Sequence, residues 1–565
     1  MDKNNHGVCD ATAMPLVNHR ATSAVSERFG IQVRLREMED ERLRLLRRWN
    51  DLAPISRLPP EILSMMFRMC ACDDRTFRSP PAIRRSILLS HVCTRWRAVA
   101  VDDPRLWTSY FLPSPKSNPS LVWKCLARSK TMPITVKLDF PQTTPPNSSD
   151  TIKEGWQALY HLSHICDLCI ACTDMVLATY SFYLETTPAP FLERLAVWCL
   201  EEEPTLIPGR RLFCDWAATP SLRDVQLYGC LVDSFHPMLR RLTSLSLDRC
   251  TYRFQDLLDA LSNAPQLQSF GLSSEDPPRS DLTMYLNRPV VHMPHLRKLT
   301  LMDFPVIVRA LLESLSFPPS LVLNICDEVD PSETPSRLSH IPAVVAAVAA
   351  TEPLQSVMVR STEYVGGKAT AFVVSGSRTD LDYFSPYRDD DTGADIFLSF
   401  WRPWKNVDYR PEVLAEFCFH MSLDQVQSLT ICDQYPMGWG ALFSRFPNVQ
   451  RLRLVGLGQV ETILDLLTPA AQAVQSDSVM AGSSQPMERE ARTLLPNLTV
   501  VRLSGVWDGK FDEEDADDLL QSIEQFLSVR QARGAKIVEL KLDGPQFSED
   551  FDRLAPYVGG LERNS

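Results

Sequence analysis

The sequence predicts an α/β fold, in which a small helical region near the N-terminus precedes a long array of strand–helix units. Two observations lead to this prediction. Between residues 55 and 107, apolar residues recur at helical spacing and prolines interrupt the pattern. From residue 165, the pattern apolar-x-x-apolar-x-apolar returns, at intervals of 20 to 30 residues through its first six copies. A recurring unit of that length is typical of stacked repeats that bury one continuous core.

Two segments precede the first apolar cluster. Residues 1–26 are polar and are predicted to be disordered. Residues 27–52 are predicted to form an amphipathic helix, in which Arg42 interrupts an apolar stripe at 3-4 spacing. The stripe consists of Leu35, Met38, Leu45, Trp49 and Leu52. Because the stripe is shorter than three heptads, it favours packing against a neighbouring element over a free coiled coil, with dimerisation as the alternative.

Residues 53–110 are predicted to form three short helices. Leu58 precedes two prolines, so the first helix is expected to begin at Pro59 or Pro60. One broad apolar face then follows, made of Ile62, Leu63, Met66, Phe67 and Cys70. A second apolar run extends from Ile83 to Ala100, with Ser90 as a candidate N-cap between two helices. Asp103-Pro104 ends this run, and Leu106-Trp107 is expected to fold back on it.

This region resembles the F-box family in LPPEIL at 58–63, Phe67, VCTRWR at 92–97 and DPRLW at 103–107. It departs from short F-boxes in the longer segment CACDDRTFRSPPAIRR at 70–85. The resemblance implies binding to a Skp-type adaptor that bridges to a cullin ubiquitin ligase; the alternative is a three-helix core without a partner. The residues expected to contact the adaptor are Leu58, Pro59, Ile62, Leu63, Val92, Trp96, Leu106 and Trp107.

The repeated pattern occupies most of the remaining chain. Its copies are centred on Leu168, Leu195, Val225, Leu245, Phe270, Leu299, Val357, Leu429, Leu452, Val501 and Leu540. Cys230 and Cys250 each stand three positions after the last apolar residue of a copy. The pattern resembles the leucine-rich repeat family in its irregular, ribonuclease-inhibitor-like form, including the cysteine variant that often accompanies F-boxes. The resemblance implies a horseshoe-shaped solenoid over residues 120–565, with a concave parallel sheet and helices on the other side.

Two stretches interrupt the pattern. Residues 370–405 contain two strand-like segments around an acidic loop, and they are interpreted as an insertion off the solenoid. Residues 470–493 are rich in Ala, Ser and Gln and are interpreted as a mobile loop.

The side chains that alternate with the inward pair of each strand are expected to face solvent and bind a protein substrate. Trp198 and Tyr228 are the residue types that anchor interfaces, and the arginines suit an acidic or phosphorylated segment. The alternative is a solvated sheet face. The candidate substrate-binding residues are Trp198, Tyr228, Asp248, Arg451, Arg453, Arg502 and Lys541.

No pattern predicts catalysis, a cofactor or a metal. His161, His164, Cys166, Cys169 and Cys172 have spacings that superficially suit zinc. However, Leu168 and Ile170 are the inward residues of a predicted strand, and alternation sends Cys169 to the face opposite Cys166 and Cys172. No P-loop, dinucleotide or hydrolase motif occurs. We therefore expect a protein that is not an enzyme.

Charge and composition limit the partners. The net charge of −12 is spread along the chain without a basic domain, which argues against nucleic-acid binding. No apolar run approaches the length of a membrane span, and the first 30 residues lack a secretory signal. Fifteen cysteines in such a chain suggest reduced thiols in the cytoplasm, the nucleus or both. The sequence thus predicts the substrate receptor of a Skp-cullin-F-box ubiquitin ligase, with a repeat scaffold outside ubiquitination as the alternative.

Overall fold

The structure is a computed structural model in which the chain forms two compact units, Met1–Val136 and Lys137–Ser565. We call them the N-terminal unit and the sheet unit. The α/β class predicted from the sequence is confirmed, since a helical N-terminal region is followed by a large, mostly parallel sheet. The structure describes residues 18–71, 82–112, 119–140, 159–173, 176–177, 180, 184, 187–199, 219–232, 240–274, 290–303, 305–328, 341–363, 370–379, 394–402, 419, 421, 423–432, 439–456, 460–468, 494–505, 513–544 and 549–564.

The first helix, α1 (Asn18–Asp51), begins nine residues before the predicted start. The prediction of disorder is therefore wrong for residues 18–26, and residues 1–17 lie outside the described part. Residues 18–26 contain neither Gly nor Pro, and extending an existing helix costs less than nucleating one. Among the described residues, the expected packing against a neighbouring element is not found, because every residue from Val25 to Leu52 is exposed.

The rest of the N-terminal unit contains four helices and two strands among its described residues. They are α2 (Pro60–Ala71), α3 (Ala82–Ser90), α4 (Thr94–Asp102), β1 (Ser109–Leu112), α5 (Pro119–Ser129) and β2 (Ile134–Asp139), with short 3₁₀ helices at Pro54–Arg57 and Pro104–Trp107; the boundary between the two units falls within β2. The predicted helix start at Pro60 is confirmed. Ser90 is the last residue of α3 rather than an N-cap; the cap of α4 is Cys93, whose sulfur accepts from the Trp96 N–H at 3.4 Å.

The core of this unit forms around Trp107, which is fully buried. Its indole N–H donates to the Ala100 carbonyl at 2.7 Å, and the Arg128 guanidinium of α5 lies 4.4 Å from its ring centre. Phe67 packs on Trp96 with ring centroids 4.8 Å apart. Because α5 packs on the Pro104–Trp107 segment, the compact unit extends past the predicted boundary at 110–120.

The sheet unit is built from strands that follow one another along the chain. They are β3 (Ile165–Cys172), β4 (Arg194–Cys199), β5 (Asp224–Tyr228), β6 (Leu231–Val232), β7 (Ser244–Asp248), β8 (Thr251–Tyr252), β9 (Ser269–Ser273), β10 (Val291–His292), β11 (Lys298–Asp303), β12 (Leu315–Ser316), β13 (Val322–Glu328), β14 (Ser356–Glu363), β15 (Thr370–Ser377), β16 (Ile396–Arg402), β17 (Ser428–Cys432), β18 (Arg451–Val455), β19 (Val500–Ser504), β20 (Glu539–Asp543) and β21 (Gly560–Asn564). Helices among its described residues are α6 (Phe254–Ser262), α7 (Pro305–Ser314), α8 (Ile341–Ala349), α9 (Trp439–Phe443), α10 (Val460–Leu467) and α11 (Glu513–Ala532).

From β3 onwards, the strands of the main sheet lie in the order β3-β4-β5-β7-β9-β11-β13-β16-β15-β14-β17-β18-β19-β20-β21. Every pairing in this order is parallel except the two made by β15. Two short parallel ladders, β6 with β8 and β10 with β12, stand beside it. Parallel neighbours need crossover segments, and α6, α7, α10 and α11 lie in such crossovers, as expected for the helices of the repeats.

The repeated sequence pattern corresponds to one continuous register. Leu195, Val225 and Leu245 are direct partners on adjacent strands, and Val197, Leu227 and Leu247 form the next row. All six side chains are buried. The inward orientation predicted for the second and third apolar residues of these copies is therefore confirmed.

Residues 370–377 and 396–402 are strands of the main sheet, which corrects the predicted insertion at 370–405. β14, β15 and β16 form an antiparallel meander, and β16 closes on β13 in parallel. Val373 and Val374 are both buried although they point to opposite faces, so this part of the sheet is covered on both sides. The interpretation as an insertion failed because consecutive apolar residues do not show the alternation of the other strands. The predicted loop at 470–493 lies outside the described residues.

A common turn follows several strands. Gly229, Arg249 and Gly456 each come directly after a strand and have φ values of 64°, 51° and 84°. Their N–H groups donate to the last carbonyl of the next strand, at 2.9 Å to Asp248, 2.8 Å to Ser273 and 3.0 Å to Ser504. At Gly229 a Cβ would lie 2.6 Å from the Cys199 carbonyl oxygen, so only glycine fits there. The copies thus share backbone geometry as well as sequence.

Candidate interaction surfaces

Helix α2 carries apolar side chains on two opposite faces. Leu63, Phe67 and Ala71 are buried in the N-terminal unit. The opposite face consists of Ile62, Met65, Met66 and Met69, which are 40%, 48%, 38% and 73% exposed. These four residues follow the i, i+3, i+4, i+7 spacing of one helical face. We call them the α2 apolar face.

The residues predicted to contact an adaptor divide into three groups. Pro59, Ile62 and Val92 are exposed, and Leu58 and Trp96 are half-buried. Leu63, Leu106 and Trp107 are buried at 0%, 4% and 0% exposure. Assigning these last three to an adaptor interface is therefore wrong, because their side chains form the core that holds the helices together.

Polar contacts fix the start of α2. The Arg95 guanidinium of α4 donates to the Leu58 carbonyl at 2.6 Å and also to the Ser56 carbonyl. Asp103 accepts from the Ser64 hydroxyl and lies 3.3 Å from the Arg68 Nε. The Arg95 contacts fix the segment that leads into α2 through Leu58 and Pro59. The Asp103 contacts fix α2 itself, so that the helix has a defined orientation relative to α4.

Part of the exposed apolar surface was not predicted from the sequence. Met65, Met69 and Leu88 are 48%, 73% and 62% exposed and were not assigned a role. Ile62, Leu63, Met66 and Phe67 were treated as one face, whereas the structure divides them between core and solvent. The signal was present in the composition of α2, where polar side chains occupy too few positions to form a solvated face.

The second surface lies on the face of the sheet that is opposite the buried rows, which we call the polar face. Trp198, Tyr228 and Asp248 are register partners on β4, β5 and β7. The Trp198 and Tyr228 rings stack with centroids 5.4 Å apart at 18°, and the Arg249 guanidinium lies 5.3 Å from the Tyr228 ring centre. All three predicted residues are half-buried. We call Trp198, Tyr228, Asp248 and Arg249 the aromatic patch.

The predicted basic residues meet at the other end of the polar face. Arg453, Arg502 and Lys541 are direct partners on β18, β19 and β20, and Arg451 stands two positions before Arg453. We call these four residues the basic row.

Acidic and hydroxyl groups pair with the basic row. Arg502 forms an ion pair with Asp543, and the Arg453 Nε donates to the Ser504 hydroxyl at 3.1 Å. Lys541 lies 3.2 Å from Glu562 and 3.3 Å from Glu539, and hydrogen bonds to these two carboxylates raise its pKa. The row therefore presents oriented cations, with much of their charge neutralised locally.

The middle of the polar face is closed. Met358, Arg360, Ser375, Ser399 and Thr430 lie on this face in β14 to β17, yet each is at most 5% exposed. The aromatic patch and the basic row therefore belong to two open areas separated by a covered one. Nothing in the sequence pattern distinguished this region.

The thiols and histidines of β3 and its preceding turn do not form a metal site. Cys169 and Cys172 are buried and Cys166 is half-buried. Burial raises the pKa of Cys169 to about 12, so its thiol stays protonated. Within the described ranges, no three His, Cys, Asp or Glu side chains are grouped to hold a metal ion.

Comparison with known proteins gives no family. No protein-family model matches the chain. No curated protein matches it either. In the described part of the chain, no helix combines the length and apolar character needed to cross a membrane.

Proposed function

We propose that this chain is the substrate-recognition subunit of a Skp-cullin-F-box ubiquitin ligase. In this proposal the N-terminal unit is an F-box that binds a Skp-type adaptor, and the sheet unit is a leucine-rich repeat solenoid that binds a protein substrate on a concave face. The chain itself performs no chemistry. It holds the substrate near the transfer machinery of its partners, so that catalysis is by proximity.

The observation that carries the proposal is the α2 apolar face. A helix that already buries Leu63 and Phe67 would normally present polar groups to water. Instead this face carries Met65 and Met69, which are 48% and 73% exposed. Methionine side chains are flexible and polarizable and suit protein-binding surfaces. Leu58 and Pro59, the two residues directly before α2, lie at the N-terminal end of the same helix, and Arg95 donates to the Leu58 carbonyl.

The sheet unit supports the second half of the proposal. The open areas of the polar face carry a stacked Trp–Tyr pair and a row of oriented arginines, which are residue types enriched at the energetic centres of protein interfaces. The two areas lie at opposite ends of the strand order. This arrangement fits an extended substrate or two separate contact points.

Co-purification of the full-length chain with a Skp-type adaptor tests the proposal. Ile62→Glu with Met66→Glu places two carboxylates in the α2 apolar face and should abolish capture, because each buried apolar side chain contributes about 1.5–3 kcal/mol. Leu58→Ala with Pro59→Ala tests the entry segment in the same assay. The matched control is Val538→Glu, which changes a 56% exposed apolar residue in the sheet unit.

Capture by the unchanged chain and by the control, but by neither double variant, is the expected result. Capture that survives both double variants would contradict the docking mode. Adaptor binding without cullin in the same complex would favour a scaffold outside ubiquitination.

A further inference from the structure

Helix α1 exposes a continuous apolar stripe that the described part of the chain leaves uncovered. The helix has 34 residues and is about 50 Å long at 1.5 Å per residue. Leu35, Met38 and Leu45 are 59%, 65% and 63% exposed, and Trp49 is 76% exposed. Most helical stability in proteins comes from burying such a stripe. An occupant for this surface is therefore expected.

The stripe follows alternating steps of four and three residues, as in a two-helix seam. It runs through Ile31, Leu35, Met38, Arg42, Leu45 and Trp49, and continues to Leu52, the residue directly after the helix. Arg42 is the polar member, and its charge is matched on its own helix. Its Nε and Nη2 donate to the two Glu39 carboxylate oxygens at 2.9 Å and 2.8 Å.

Two adjacent blocks of opposite charge lie in the C-terminal half of α1, after Arg34 and Arg36. Residues 37–41 contain Glu37, Glu39, Asp40 and Glu41, and residues 42–48 contain Arg42, Arg44, Arg47 and Arg48. A parallel, in-register pair of these helices would place each block beside its own copy and Arg42 against Arg42 in the seam. An antiparallel pair places the acidic block of each helix against the basic block of the other.

We propose that α1 pairs with α1 of a second copy of this chain in an antiparallel arrangement, with Met38 opposite the partner's Trp49. In this register Leu35 lies opposite the partner's Leu52, and Arg42 opposite the partner's Leu45. Antiparallel helices bring the same flanking positions of the two seams together. Glu41 therefore lies beside the partner's Arg48, and the symmetry of the pair repeats this contact.

Charge also selects this register over the neighbouring one. A shift of one heptad places Met38 opposite the partner's Arg42 and brings Glu41 next to the partner's Glu41. Like charges at such flanking positions are destabilising, whereas opposite charges specify partner and orientation. The α2 apolar face is not involved, so this inference and the proposed function fail or succeed separately.

Sedimentation of the full-length protein over a range of concentrations tests the pairing. The expected species has twice the 63.9 kDa mass of one chain. Glu41→Arg alone and Arg48→Glu alone should each weaken dimerisation roughly tenfold, since each change reverses two flanking contacts. The double variant should restore the original affinity. Glu37→Arg changes the charge equally at a position outside the seam and its flanks, and serves as the control.

A disulfide experiment fixes the direction. Two differently tagged proteins, Met38→Cys and Trp49→Cys, are mixed and oxidised, with the unsubstituted chain as background. A mixed disulfide between the two tags is expected. A Met38→Cys homodimer would indicate a parallel pair and overturn the proposal, as would a monomer at every concentration or failure of the charge swap to restore affinity.

Discussion

The middle and the C-terminal end of the polar face share one register row but occupy different environments. Met358 on β14, Thr430 on β17 and Arg453 on β18 are successive partners across adjacent strands. Met358 and Thr430 are buried, whereas Arg453 is half-buried. A position in a strand therefore sets which face a side chain takes, but not whether that face meets water. The environment depends on what lies over the sheet at that point.

The largest expected effect tests this contrast directly. Met358→Ala should lower the free energy of unfolding by about 2–5 kcal/mol, because it removes a fully buried side chain and leaves a cavity. Arg453 is the direct partner of the buried Thr430 on the neighbouring strand. Arg453→Ala should lower the free energy of unfolding by about 1 kcal/mol or less. Urea denaturation of the full-length variants measures both. Equal losses at the two positions would show that the middle is no more closed than the end.

A smaller effect is expected in the aromatic patch, where the open face is held by ring stacking. A double-mutant cycle with Trp198→Ala and Tyr228→Ala should give a coupling energy of about 0.5–1.5 kcal/mol. The same cycle with Trp198→Ala and Arg453→Ala should be additive, because these residues lie in separate open areas. Coupling in the second cycle would mean that the two areas communicate through the covered middle.

The smallest effect is expected for the ion pair of the basic row. Arg502 and Asp543 are 28% and 19% exposed, so their attraction is partly screened by solvent. Arg502→Met should cost about 0.5–1 kcal/mol in dilute buffer, and less at 1 M salt. Thermal unfolding at the two salt concentrations measures the difference. A loss that is unchanged by salt would assign the role of Arg502 to its short-range hydrogen bond with Asp543, because methionine keeps most of the aliphatic stem.

The sequence was informative where burial is periodic. The inward pair of each strand follows directly from alternation, and the copies centred on Leu195, Val225 and Leu245 coincide with paired strands. β13 was missed because Leu321 precedes Leu323 by two residues, where the pattern requires three. The β15–β16 segment was misplaced because burial on both faces removes alternation, and that burial depends on distant parts of the chain.

The candidate sites were predictable to a lesser degree. Register brings Trp198, Tyr228 and Asp248 together, as alternation on neighbouring strands required. In the N-terminal unit, the apolar pattern identified the helices but not the division of α2 into a core face and a solvent face. That division depends on the directions in which α3 and α4 pack. Trp107 was consequently assigned to a partner although it forms the core.

The position of β16 has a consequence for how the sheet unit folds. The strands from β3 to β13 pair in the order in which they are synthesised, so each can add to the growing edge as it emerges. β14 cannot follow them directly, because its place in the sheet lies beyond β15 and β16. The link is β16, which pairs with β13 on one side and with β15 on the other. Assembly of the C-terminal strands on the N-terminal ones is therefore expected to wait until residue 402 has been added to the chain.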